Sequence, residues 1–433
     1  PRICAQNLPL MQLVDMLSVL LVAVLIVEAL IFLIVRYFRQ EFQWLITRND
    51  EQPEFDRALV EKYINGSFDP LLGWVRKPNT RGIDKGRYGE VGYSINELGS
   101  RNLECLGEKE SQVVIASVGD SYTFCRQVED SETWQALLST KTQSHVLNFG
   151  VGNYGLDQAL LRYNQLKLPA TTKIVIMGVV PETICRVHSY WKHYFEFGNI
   201  LAFKPRYRLL GDELVLSENV MKTDKDFYNL ADKLPDIQAL DGFYRKKFRS
   251  QQFRFPYLYS LLRNPMRNFL LLFYLLRRKL IRLLKLSNVT VENAPFSVIM
   301  KYNILYSHSM YRQPDQCKLL KAIILKFKQD AESRGHKPVL LLMPQLLDLE
   351  LIEEQCIPYE HFYREMTSHL DVIDITRSIM ARTFAEFYAE DSYGGHFSAK
   401  GNDFLSNEIM TYLQESCPDL MPDKRKRAME SQP

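Results

Sequence analysis

A serine hydroxyl is a weak nucleophile until a neighbouring base takes its proton, and Ser121 stands where such chemistry could be staged. It closes the run QVVIASVGDS, in which a short apolar segment opening at Gln112 gives way to Gly119-Asp120-Ser121. In open α/β folds the residues just beyond the carboxyl ends of strands gather the active site. A Gly-Asp-Ser triplet alone fits an ordinary strand-to-helix turn equally well, because Asp and Ser are common turn and capping residues. Metal chemistry is not indicated. The seven cysteines, Cys4, Cys105, Cys125, Cys185, Cys317, Cys356 and Cys417, are scattered, with no Cys-x-x-Cys pair and no histidine at ligand spacing. They read as mostly free thiols, and neither a metal nor another cofactor is expected. His188 and His193 flank Trp191 in SYWKHYFEF, where packing and the rim of a site are both open readings.

The elements that must position Ser121 alternate in type. Buried-strand runs are expected at Gln112–Val118, His145–Phe149, Lys173–Val179, Pro338–Met343 and Asp371–Ile375. Helical patterns start near Asp130, Leu156, Gln316 and Ser398, with Asp130, Gly155, Asp315 and Ser398 placed to cap them. Alternation of this kind predicts a three-layer α/β/α domain with a parallel sheet of about five strands. Between the third and fourth strands, about residues 186–314, the connection is far longer than such sheets need, so an inserted subdomain is expected. Its first part carries two alternating runs about Gly211-Asp212, the pattern of a hairpin.

The blocks VGDSYTFCRQVEDSETW and HVLNFGVGNYGLDQALL, with GGHFSAKGNDFLSNEI near the C-terminus, resemble those of SGNH (GDSL-like) hydrolases; DPLLGWVRKPN and INELGSRN look like the region upstream of the nucleophile in membrane-associated members. The resemblance covers about residues 69–190 and 315–413 and leaves out the insertion. It implies a flavodoxin-like sheet, Ser121 as nucleophile and His396 as its base. It also implies an oxyanion held by the amides of Ser121 and Gly152, and it places Asp120 in the substrate-binding group. Three positions depart from the family pattern. Tyr393 stands where the family usually has its orienting acid, so that acid is either Asp391, folded back by Gly394-Gly395, or absent, leaving a Ser-His dyad. After the third strand the chain reads GVVPETICR, without the family's oxyanion Asn; Glu182 or Thr183 stands near that place, and Asn153 is available as a side-chain donor or a plain turn residue. Cys125 occupies a position that is frequently Gly.

Membrane attachment is read from two segments. Leu17–Val35 is apolar except for Ser18 and Glu28, is followed at once by Arg36 and Arg39, and matches the length of a spanning helix; the alternative is a buried core helix. No small-residue cleavage site follows, so a retained single-pass anchor is expected. Arg36, Arg39 and Arg48 favour the cytoplasm for the bulk of the chain, against Arg2 alone before the helix, but the sequence starts at Pro1 without an initiator Met, so the side stays open. Between Gly242 and Val291 there are twelve Lys and Arg and no Asp or Glu, and MRNFLLLFYLLRRKLIRLLKL within it reads as a basic amphipathic helix. Such a helix suits an anionic bilayer interface, although a solvated basic face and a nucleic-acid surface fit the same composition. With a formal net charge of +3 and no binding module, no nucleic-acid partner is assigned.

The expected organisation is an anchor (1–40), an accessory β-rich region (41–110), the first half of the core (111–190), the insertion (191–312), the second half (313–416) and a basic disordered tail (417–433). The function expected is a membrane-anchored serine esterase acting on an ester-bearing small molecule, lipid or glycan. An O-acyltransferase acting on a glycan, with a membrane acyltransferase as partner, shares the same acyl-enzyme. A non-catalytic membrane scaffold that keeps the sheet is the reading from another class.

Overall fold

The computed structural model describes residues 8–37, 45–86, 89–102, 112–285, 294–353, 356–389 and 395–420. They fall into two compact units, Phe55–Gly242 with Met300–Pro433, and Pro1–Glu54 with Phe243–Ile299.

The larger unit is built on a five-stranded parallel sheet. In chain order its core elements are strand β1 (Val113–Val118), helices α1 (Ser121–Phe124) and α2 (Trp134–Thr142), strand β2 (His145–Asn148), helix α3 (Leu156–Gln165), strand β3 (Ile174–Val179), helix α4 (Pro314–Ser333), strands β4 (Lys337–Leu342) and β5 (Asp371–Asp374), and helix α5 (Ala399–Ser416). The strand order is β5-β4-β3-β1-β2, every pair parallel. Strands covered on both faces need no alternation, and β3 is buried along its whole length. The connection from β1 to β2 runs one way across the sheet and that from β2 to β3 runs back. Right-handed crossovers then put helices on both faces: α2 packs with α5, and α3 with α4. The reversal makes a switch point between β1 and β3, the crevice where open α/β sheets take their ligands. Trp134, Leu138, Leu405 and Ile409, fully buried between α2, α5 and the sheet, contribute roughly 1.5 to 3 kcal/mol each to holding that face in place.

Each expected strand is present, within a residue or two at either end. The first helix differs: Asp130 opens a 3-10 turn, and α2 begins only at Trp134, capped by the Thr133 hydroxyl accepting from Ala136 N–H at 3.2 Å. Asp130 is diverted because its carboxylate accepts from Arg101 at 2.6 Å and from Ser94. Ser398 caps α5 as expected. The accessory region includes a helix, Arg57–Gly66, besides its hairpin Thr80–Gly86 and Gly89–Ile95. The hairpin about Gly211, Arg206–Leu210 with Glu213–Ser217, belongs to the larger unit.

In the smaller unit, helix Leu8–Tyr37 contains 26 residues, Gln12–Tyr37, long and apolar enough to cross a bilayer and with none of its most apolar stretch buried. The basic helix runs from Pro265 to Leu283. Of the C-terminal tail, residues 421–433 lie outside the described residues.

Candidate active site

Ser121 is the first residue of α1 and sits three residues past the end of β1, at the switch point. The turn that delivers it is tight: a Cβ on Gly119 would lie 2.6 Å from the Gly178 carbonyl and collide with the Thr123 hydroxyl. Asp120 caps the turn by accepting from Tyr122 N–H at 2.9 Å. At its far end α1 closes on Cys125 in the left-handed conformation, φ 59°, a backbone that favours glycine. Burial pushes the Cys125 thiol up to about 12, so it is no competing thiolate.

Ser121 meets a histidine from the other end of the chain. His396 Nε2 lies 2.8 Å from Ser121 Oγ, and the two residues are 3% and 4% exposed. The imidazole stacks on Tyr122, with centroids 4.7 Å apart, and the Tyr122 hydroxyl donates to Gly395 O at 2.7 Å. Ala389 N–H donates to His396 O at 2.8 Å, within a bridge that joins Tyr388 and Phe397. One residue of the pair is thus in α1 and the other is held by α1's second side chain. Asp391, with Tyr393 and Gly394, lies outside the described residues.

The loop after β2 is drawn alongside the serine turn: Val151 N–H donates to Gly119 O at 3.0 Å, and a Cβ on Gly150 would collide with Phe124 N. Gly152 and Asn153 follow directly. Gly152 O accepts from Trp74 Nε1 at 2.9 Å, so the upstream DPLLGW segment braces this loop. Gln158 adds a bond to Leu72 O at 2.7 Å. Asn153 is exposed with φ 67°, the backbone of a turn residue.

Two buried arginines that motif reading passed over hold the serine turn. Arg186 Nη1 donates to Asp120 Oδ2 at 2.9 Å and to Tyr154 O at 3.3 Å, while Nη2 donates to Glu182 at 2.6 Å. One guanidinium therefore ties together the loops after β1, β2 and β3. Burial alone would lower its pKa, but the Glu182 and Asp120 carboxylates outweigh that and raise it. Burial pushes the Glu182 carboxyl up, with Arg186 opposing. Glu182 and Arg186 belong to GVVPETICR, the run that ends β3 and follows it. Arg101, from INELGSRN, donates to the carbonyls of Phe124, Cys125 and Val128 at 2.8, 2.8 and 2.5 Å, capping the end of α1. The available signal was an arginine inside a turn-rich segment, but its partners lie 23 to 29 positions away. His188 and His193 are packing groups: His188 contacts Gln316 O and Arg206, and His193 packs at a tilt against Trp191 and accepts from Gly198 N–H.

No family model and no curated protein sequence matches the chain. Among solved structures it is similar to a protein assigned to the G-D-S-L lipolytic family from Desulfitobacterium hafniense DCB-2, at 10% identity and TM-score 0.31, covering 69% of this chain and 99% of that one. It is similar to a protein from Lactobacillus plantarum at 9% identity and TM-score 0.33, covering 71% and 99%. Phospholipase A1 from Streptomyces albidoflavus NA297 matches at 9% identity and TM-score 0.33, covering 70% and 99%. At these values the chemistry of this chain has to be read from its own residues.

Proposed function

We propose that this chain is a membrane-anchored serine ester hydrolase of SGNH type, and the observation that carries the reading is the 2.8 Å contact between His396 Nε2 and Ser121 Oγ at the sheet's switch point. In this reading the Ser121 hydroxyl donates its proton to Nε2 as oxygen attacks the ester carbonyl, and the imidazolium returns that proton to the departing alcohol. An acyl-Ser121 intermediate results. Water, deprotonated by the same nitrogen, then releases the acid. The oxyanion falls to the N–H groups of Ser121 and Gly152. Ser121 opens a helix, and the first N–H groups of a helix lack intrahelical acceptors; each such donor can be worth roughly 3 to 4 kcal/mol in the transition state. Asp391 is the proposed orienting acid. Asp120, already accepting from Tyr122 and Arg186, is assigned to holding the turn, since an ionised carboxylate accepts hydrogen bonds and cannot donate one to an oxyanion. Helix Leu8–Tyr37 is the anchor, and the acyl substrate is a lipid or a glycan ester at the membrane surface.

Hydrolysis of short- and long-chain acyl esters by the purified full chain tests this. Ser121→Ala and His396→Ala should each abolish nearly all turnover. The double variant should be scarcely worse than either, because nucleophile and base act as one unit. Wild-type turnover by the Ser121→Ala protein would end the reading.

A further inference from the structure

Glu28 is a carboxylate inside the apolar helix Leu8–Tyr37, and a side chain of that kind in a spanning segment calls for a partner. Its partner is the insertion: Tyr257 and Leu258 N–H each donate to a Glu28 oxygen at 2.7 Å, and Phe32 packs against the Tyr257 ring with centroids 6.0 Å apart. These N–H groups open the short helix Tyr257–Arg263, where a helix lacks acceptors of its own. Two other polar side chains of the same stretch are also answered locally. Asn268 Nδ2 donates to the carbonyls of Ser260 and Leu261, and the Ser260 hydroxyl takes up both the N–H and the carbonyl of Arg254. Such local satisfaction is what hydrocarbon demands of any backbone that enters it.

The depth is set by chain geometry. Eight residues separate Glu28 from Arg36, about 12 Å of helical rise, against a hydrocarbon core roughly 30 Å thick. Four residues upstream of Tyr257, Phe253 N–H donates to Ile46 O at 2.8 Å, on the Arg36 side of the anchor. The outward side of the segment is apolar at helical spacing through both helices: Tyr259, Leu262, Met266, Phe269, Phe273 and Leu276, three and four residues apart, are 50–67% exposed. A stripe of this size is not left to water. It ends among Arg277, Lys279, Arg282 and Lys285, in a stretch without any acid, which matches anionic headgroups.

We propose that residues 255–283 form a re-entrant limb lying in an anionic lipid bilayer, clamped to the spanning helix by Glu28. The inference rests on the anchor reading, and the test separates the two. The full chain is reconstituted in vesicles of phosphatidylcholine with phosphatidylglycerol, carrying a fluorescent side chain in place of Leu262 or, as reference, Leu20. Acyl-chain-brominated lipid should quench both positions and aqueous iodide neither. Glu28→Leu should leave Leu20 in lipid and expose position 262 to iodide, while Glu28→Gln, which keeps one acceptor oxygen, should give an intermediate result. Iodide quenching at 262 with Leu20 in lipid would overturn the limb and leave the anchor standing. Silence of 262 to both quenchers would mean that a protein covers the stripe, which also overturns it. Retention of 262 in lipid by Glu28→Leu would overturn the clamp, and iodide quenching at Leu20 would remove the anchor and the limb together.

Discussion

The two halves of the candidate site are held by different means. Ser121 is set by charge: Asp120, Arg186 and Glu182 form a buried ionic chain beneath its turn, and Arg101 closes the end of α1 with three carbonyl contacts. Around His396 the described contacts include an aromatic face, a backbone bridge and the Tyr122 hydroxyl on Gly395 O. Buried ion pairs repay their desolvation only when every partner is present, so the serine side is rigid but intolerant of loss. Stacking and single neutral hydrogen bonds are individually worth about 1 kcal/mol, so each of these contacts can be lost at small cost.

The comparison breaks most visibly at Arg186. Arg186→Met would strand Asp120 and Glu182 as buried carboxylates and should cost about 3 to 5 kcal/mol in chemical denaturation of the full chain, with turnover falling more than tenfold as the loops after β1, β2 and β3 part. A change under about 1 kcal/mol would show that the ionic chain is not what holds the turn. Tyr122→Phe keeps the ring under His396 and deletes one hydrogen bond. It should cost about 0.5 to 1.5 kcal/mol and lower turnover only a few-fold, read from kcat with KM unchanged. The smallest effect gives the acid baseline. At Asp226 burial works against ionisation, but the Lys233 ammonium and the N–H groups of Lys222 and Thr223 outweigh it and hold the carboxyl at about 2. A carboxyl that binds its proton less readily folded than unfolded stabilises above its ordinary pKa, so this contribution is complete above about pH 4 and fades as pH falls towards 2. Asp226→Asn should flatten the stability profile in that window alone, with turnover at neutral pH unchanged.

What could be read from the chain divides along the same line. The strands of the sheet were legible because a parallel strand buried on both faces is an uninterrupted apolar run, and Ser121 and His396 because each sits at the head of a helix in a recognisable block. The ionic support was not legible. Asp120 and Arg186 are 66 positions apart, and no local pattern tells a buried guanidinium from a solvated one. Asp130 shows the cost of local reasoning: an Asp before a helical pattern reads as a cap, yet its carboxylate is spent on Arg101 and Ser94, and Thr133 caps the helix instead. Glu28 was visible as a polar interruption in an apolar run, but its partners lie 229 and 230 positions away.

The most direct measurement for the central claim is peptide mapping after labelling the native full chain with a fluorophosphonate, which phosphonylates a serine only when a base activates it. The account predicts one adduct, on Ser121, lost in Ser121→Ala and reduced by orders of magnitude in His396→Ala. An adduct on another residue, or labelling of Ser121 that His396→Ala leaves undiminished, would contradict it.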